Sequence, residues 1–131
     1  MYLLDTNICI YLKNKKAPHT LNRLHKVIDK TLYVSSITVA ELYFGVYNSQ
    51  YIARNHIALV EFLAPFKVLK FDTQDAKEYG KIRAALKRKG RMIGAYDMLI
   101  AAQAIAKDLI LVTNNTSEFI RIDGIRLEDW T

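Results

Sequence analysis

Short apolar runs recur along this chain between stretches of helical periodicity, and that alternation constrains its fold more than any other feature. "YLLD" at 2–5 reads as a short buried strand ending at Asp5. "LYVSS" at 32–36, "KVLKF" at 67–71 and "LILVT" at 109–113 read as three more, and "GIRLED" at 124–129 as a weak last one. Between them the pattern predicts helices over 6–14, 19–29, 37 to about 49, 51–63, 73–89 and 95–108. Thr6 or Asn7 is available to cap the first, and Gly90 stops the fifth. Strands that alternate with helices pair in parallel, because a crossover helix joins them and covers a face of the sheet. The expectation is an α/β fold, a mainly parallel sheet covered by helices. In such sheets sites form beyond the carboxyl ends of strands, where the strand order reverses. Asp5 falls at one such end, and Asn114 and Asn115 fall at another.

A chain of 131 residues, 51% hydrophobic, suits one domain over 1–131 with one core. It shows no repeat, low-complexity tract or linker, and its only two prolines, Pro18 and Pro65, stand between candidate elements. The single cysteine, Cys9, excludes an internal disulfide and reads as a small buried hydrophobe, in keeping with a reducing compartment. Lys13, Lys15 and Lys16 follow the first apolar stretch instead of preceding it, the wrong order for a secretory signal. No apolar run approaches the roughly 18 residues of a membrane span. A cytoplasmic protein without a membrane partner is expected.

The formal net charge is +6. Lys81, Arg83, Lys87, Arg88, Lys89 and Arg91 fall in eleven consecutive positions, with no acid between Glu78 and Asp97. Such a cluster is either a solvated helix face or a surface for phosphate backbone. It leads directly into Asp97. Arg83, Lys87, Arg88 and Arg91 are the candidate residues for holding a nucleic-acid backbone.

Four acids stand in uncharged surroundings. Asp5 ends the first strand, Glu41 is the only charge in "SSITVAELYFGV", Asp97 is the only charge in "MIGAYDMLIAAQAIA", and Glu118 lies between "LVTNNTS" and Phe119. Each has a local explanation. Asp5 can cap the next helix, "TVAE" from Thr38 to Glu41 matches a capping box, Asp97 suits a first helical turn, and Glu118 suits a loop. On that reading the chain is a basic RNA- or protein-binding domain without catalysis. The acids, however, lie near strand carboxyl ends and would converge on one sheet edge. Two carboxylates about 5 Å apart repel by about 3 kcal/mol at an effective dielectric near 20, more than the ~1 kcal/mol a cap returns. Convergence therefore calls for a cation. Histidine and cysteine are missing from these stretches, and His19, His25 and His56 show no metal spacing. An all-oxygen set suits Mg²⁺ or Mn²⁺. Such an ion beside a basic helix points to phosphodiester hydrolysis, with a carboxylate as general base for water. Phosphoacceptor folds want a second acid two positions after Asp5, where Asn7 stands.

"LLDTNICIYL", "SSITVAELYFGV", "IGAYDMLIAAQAIA" and "LVTNNTSEF", in this order and followed by "IRLEDW", resemble the PIN-domain ribonucleases of the VapC toxin type across nearly the whole chain. The resemblance implies a three-layer α/β/α sandwich and a Mg²⁺- or Mn²⁺-dependent endoribonuclease. It matches Asp5, Glu41 and Asp97 to the family's three central acids, with Thr6 and Ser36 as supporting polar residues. The position two residues after Thr113, which often holds a fourth acid, is Asn115 here. Many members of this type place an acid just before the phenylalanine instead, matched by Glu118. Glu118 is taken as the fourth acid, with Thr113 and Asn115 in support. The resemblance also implies an inhibitory VapB-type antitoxin, a homodimer, operator DNA reached only through the antitoxin, and a tRNA substrate, initiator tRNA cut in its anticodon stem-loop.

Overall fold

The computed structural model describes residues 1–14 and 18–131. Five strands are formed: β1 (Tyr2–Leu4), β2 (Leu32–Ser35), β3 (Lys67–Leu69), β4 (Ile110–Val112) and β5 (Leu127–Glu128). They make one sheet in the order β3-β2-β1-β4-β5, every pair parallel. The chain steps outward from β1 through β2 to β3, then returns to the other side of β1 as β4. The order reverses between β1 and β4, so the crevice opens where Leu4 pairs with Val112. Just beyond, the Asp5 N–H donates to the Val112 carbonyl at 3.0 Å.

Among the described residues seven helices cover the sheet: α1 (Thr6–Lys13), α2 (Pro18–Lys26), α3 (Ser36–Tyr47), α4 (Ile52–Leu63), α5 (Thr73–Lys89), α6 (Ala95–Ala106) and α7 (Thr116–Phe119). Side chains on a strand point alternately to opposite faces, and the core divides accordingly. Leu3 and Leu111 pack with Ile82, Leu86, Met98 and Phe119 of α5, α6 and α7. Leu4 and Val112 pack with Ile8, Leu24, Leu42, Leu59 and Trp130, on the side of α1 to α4. This is the expected three-layer α/β/α sandwich, and its sheet is parallel throughout.

The local chemistry explains most boundaries. The Asp72 and Asp75 carboxylates and backbones close a capping box at the start of α5, and Gly90 ends it in the left-handed region at φ 64°. Trp130 is fully buried near the chain end, edge-on to Tyr2 at 5.2 Å, with its indole N–H donating to Glu128.

Four expectations need correction. The first residue of α2 is Pro18, which a first helical turn tolerates because its N–H would be unpaired there, and the helix stops at Lys26 in successive tight turns. Helix α3 begins at Ser36, since Ser35, the last residue of β2, also caps the helix. Strands β3, β4 and β5 are shorter than their apolar runs. Helix α7 lies inside what reads as a loop, and a single turn carries too little periodicity to announce itself. Among the described residues no helix is long and apolar enough to cross a membrane.

Candidate active site

Asp5 does cap a helix. Its Oδ1 accepts from the Ile8 N–H at 2.9 Å. It is also 3% exposed, far more buried than a cap requires. Burial pushes its carboxyl up to about 6. Hydrogen bonding from Thr113 and from the Ile8 N–H works against that shift, and repulsion from Asp97 and Glu41 adds to it. The same apolar setting and the nearby Asp5 charge raise the Cys9 thiol, which is buried as expected.

Glu41 is no capping-box partner of Thr38. The Ser35 Oγ accepts from the Ile37 N–H at 3.0 Å and takes the N-cap role. Thr38 is thereby placed in the first turn of α3 and Glu41 one turn further on. Glu41 Oε1 instead accepts from the Thr6 hydroxyl at 2.8 Å, and that hydroxyl is 3.0 Å from the Thr38 hydroxyl. The short motif was real, but tertiary packing of α1 on α3 spends it differently.

Asp97 stands in the first turn of α6, behind the N-cap Gly94. It is half-buried and its carboxyl is raised, first by burial, then by Glu118 and Glu41. A Cβ at Gly94 would lie 3.3 Å from Asp97 Oδ2, so the missing side chain leaves the carboxylate its room. Glu118 occupies α7, where its Oε2 accepts from Asn115 Nδ2 at 2.9 Å. The Thr113 Oγ1 accepts from the Asn115 N–H at 2.9 Å and so holds the loop carrying Asn115 and Glu118 at the end of β4.

All four acids therefore share one electrostatic neighbourhood, with Asp97 in reach of the other three. They come from four different segments. Glu41 and Asp97, with Asn7, Gly94, Ala95 and Tyr96, line an open depression of about 360 Å³. Ser36 does not join the acids through its observed bond. Its Oγ accepts from the Phe71 N–H at 3.4 Å and fastens the start of α3 to the approach to α5. Asn7, Gly94 and Thr38 are the residues that sequence reasoning passed over. Thr38 carried a signal, since residues three apart share a helix face.

On α5, Lys81 and Lys89 are paired with Glu78 and Asp123. Arg83, Lys87, Arg88 and Arg91 are exposed and have no acidic partner among the described residues. Within the basic cluster at 81–91 these four are the cations left over, the same four that the sequence singled out; Lys77, earlier on α5, is also exposed and without an acidic partner among the described residues.

Among the described residues no three of these side chains form a ready-made ligand set. Their chemistry still fits a hard divalent ion. The donors are all oxygen, and the carboxylates of Asp5 and Asp97 are raised partly by repulsion within the group of acids, which a cation would relieve. Mg²⁺ is commonly held by one or two carboxylates with water completing its shell, and does not demand a closed protein cage.

A parallel sheet of this order, with acids gathered at its switch point, defines a nuclease-like α/β/α domain, and the sequence pattern described as PIN domain matches residues 2–125. The chain is 42% identical over 129 residues to the protein named Ribonuclease VapC2 of Haemophilus influenzae, covering 98% of this chain and 97% of that one. It is 43% identical over 129 residues to the tRNA(fMet)-specific endonuclease VapC of Salmonella typhimurium, with the same coverage. The crystal structure of VapBC2 from Rickettsia felis bound to a promoter DNA fragment superposes with a TM-score of 0.94 at 40% identity, over 99% of this chain and 98% of that one. The chain belongs to the PIN-domain family, in its VapC branch.

Proposed function

We propose that this protein is a metal-dependent endoribonuclease of a toxin–antitoxin pair, with Asp5, Glu41, Asp97 and Glu118 as its catalytic acids. The observation that carries the reading is the convergence of four carboxylates from four segments on the sheet's switch point, at a net repulsive cost. Caps alone need no such convergence. The relatives named as ribonucleases support the reaction class.

Asp5, Glu41, Asp97 and Glu118 would hold a Mg²⁺ or Mn²⁺ ion, which when bound polarises the phosphoryl oxygen and stabilises the leaving oxyanion. The residues do the rest. Asp5, buried at 3% exposure, is fixed by the Ile8 N–H. Asp97, half-buried in the first turn of α6, would take a proton from attacking water. Asn115 orients Glu118. Arg83, Lys87, Arg88 and Arg91 hold RNA backbone in register.

The substrate is tRNA, initiator tRNA cleaved in the anticodon stem-loop. The relative named as a tRNA(fMet)-specific endonuclease supports the choice of initiator tRNA as substrate. A VapB-type antitoxin covers the site, the toxin pairs with a second copy, and operator DNA is reached through the antitoxin. The neighbouring VapBC complexes, two of them with DNA, support this assembly. Purified protein incubated with initiator tRNA should cut it in Mg²⁺ and not in EDTA, and Mn²⁺ should restore the activity. Cleavage indifferent to chelator would remove the metal, and no cleavage of any RNA would remove the enzyme.

A further inference from the structure

The Thr38 hydroxyl is completely buried and takes no part in capping α3, which Ser35 does. A buried hydroxyl needs a partner, and Thr38 finds the Thr6 hydroxyl at 3.0 Å, across from α3 to α1. Thr6 has one hydroxyl proton. It is donated to Glu41 Oε1, 2.8 Å away, and is committed there. The Thr6–Thr38 bond must then run the other way, with Thr38 donating. Donor direction is thus settled along the whole line, from Thr38 to Thr6 to Glu41. The line ends on an acid, and Glu41 Oε2 makes no hydrogen bond among the described residues.

We propose that Thr38 is a positioning residue of the acidic site: it locks the Thr6 hydroxyl toward Glu41, fixing one carboxylate oxygen and leaving the other free for the site's ligand. It acts through Thr6 and touches no reacting group. For the cleavage readout the proposal rests on the function assigned above, but the ion-binding readout does not. Without the Thr38 donor, the Thr6 hydroxyl can turn, and Glu41 is free to swing from its crowded neighbours.

Thr38→Val keeps the shape of the side chain and removes only the donor. Losing one neutral hydrogen bond that orients the site should reduce kcat by about fivefold with KM little changed, and weaken Mn²⁺ affinity, read by electron paramagnetic resonance, by about the same factor. Thr38→Ser keeps the hydroxyl and should restore both. Thr6→Val and the double variant Thr6→Val/Thr38→Val should be equally impaired, because Thr38 has nothing to act on once Thr6 is gone. A purely structural Thr38 would lower thermal stability without this non-additivity. Thr38→Val that binds Mn²⁺ like the parent, or effects of the two substitutions that multiply, would overturn the proposal. If Thr38→Val does not fold, Thr38→Ala replaces it in the same cycle. If the parent cuts no RNA, the Mn²⁺ cycle decides alone.

Discussion

Replacing Asp5 with asparagine separates its two roles. Asparagine caps a helix about as well as aspartate, so the bond from the Ile8 N–H survives. What disappears is a charge held at 3% exposure beside Asp97 and Glu41. A carboxyl raised from 3.8 to about 6 carries about 3 kcal/mol of cost to its charged form at neutral pH. The uncharged amide oxygen is a weaker acceptor for the Ile8 N–H than the carboxylate, which takes back about 1 kcal/mol. Asp5→Asn should therefore stabilise the ion-free protein by about 2 kcal/mol at pH 7.5, or roughly 8 °C in midpoint for a chain of this size. The sign follows from proton binding. The native state holds the Asp5 proton more tightly than the unfolded state, so the contribution to stability is fully present below pH 3.8 and lost as pH rises through about 6. The advantage of the variant should be small at pH 4 and complete above pH 7. Added Mn²⁺ should narrow it by stabilising the parent, while RNA cleavage is lost. Urea unfolding at both pH values, with and without Mn²⁺, measures all of this. A variant within about 0.5 kcal/mol of the parent at pH 7.5 without divalent ions would show that Asp5 is a plain cap and that the acids do not strain one another.

Charge reversal of Arg83, Lys87, Arg88 or Arg91 should weaken RNA binding broadly and make its dependence on log salt shallower by about 0.7–0.9 for each phosphate no longer neutralised; a slope that stays put means those side chains do not touch backbone. Gly94→Ala places a methyl group 3.3 Å from Asp97 Oδ2, and steady-state kinetics should show kcat reduced by about tenfold with the melting midpoint almost unmoved. Trp130→Ala empties a fully buried site and should destabilise the chain by about 3–5 kcal/mol in urea titration; a loss below about 1 kcal/mol would mean that the C-terminal segment does not hold α2 to the sheet, although Thr20 donates to the Trp130 carbonyl.

The acids were legible because charge is rare in these stretches. Glu41 in "SSITVAELYFGV" and Asp97 in "MIGAYDMLIAAQAIA" stand out against apolar neighbours, and a charge in a buried segment asks for a reason. The layers were legible for a similar reason, since Leu3 and Leu4 are both apolar and must each find a covered face. The partners of those acids were harder to read. "TVAE" spells a capping box, and nothing nearby in sequence announces that Ser35 will cap instead, or that a threonine 35 residues away will bond Glu41. Helix α7 escaped because its four residues have no period to detect.

Composition, periodicity and isolated charges by themselves determined an α/β chain with a basic helix and four acids in apolar company. Those properties are local, and the physics that produces them acts over a few residues. Only the tertiary structure decided that β4 returns beside β1, which brings Asp5 to the fold's switch point with Asp97 in range of it and Glu118 in range of Asp97. Only it decided which cations of α5 remain unpaired, and that Thr38, Thr6 and Glu41 form one line of donors. Hydrogen bonds and Coulomb forces act through distance in space, and distance in space is settled by packing.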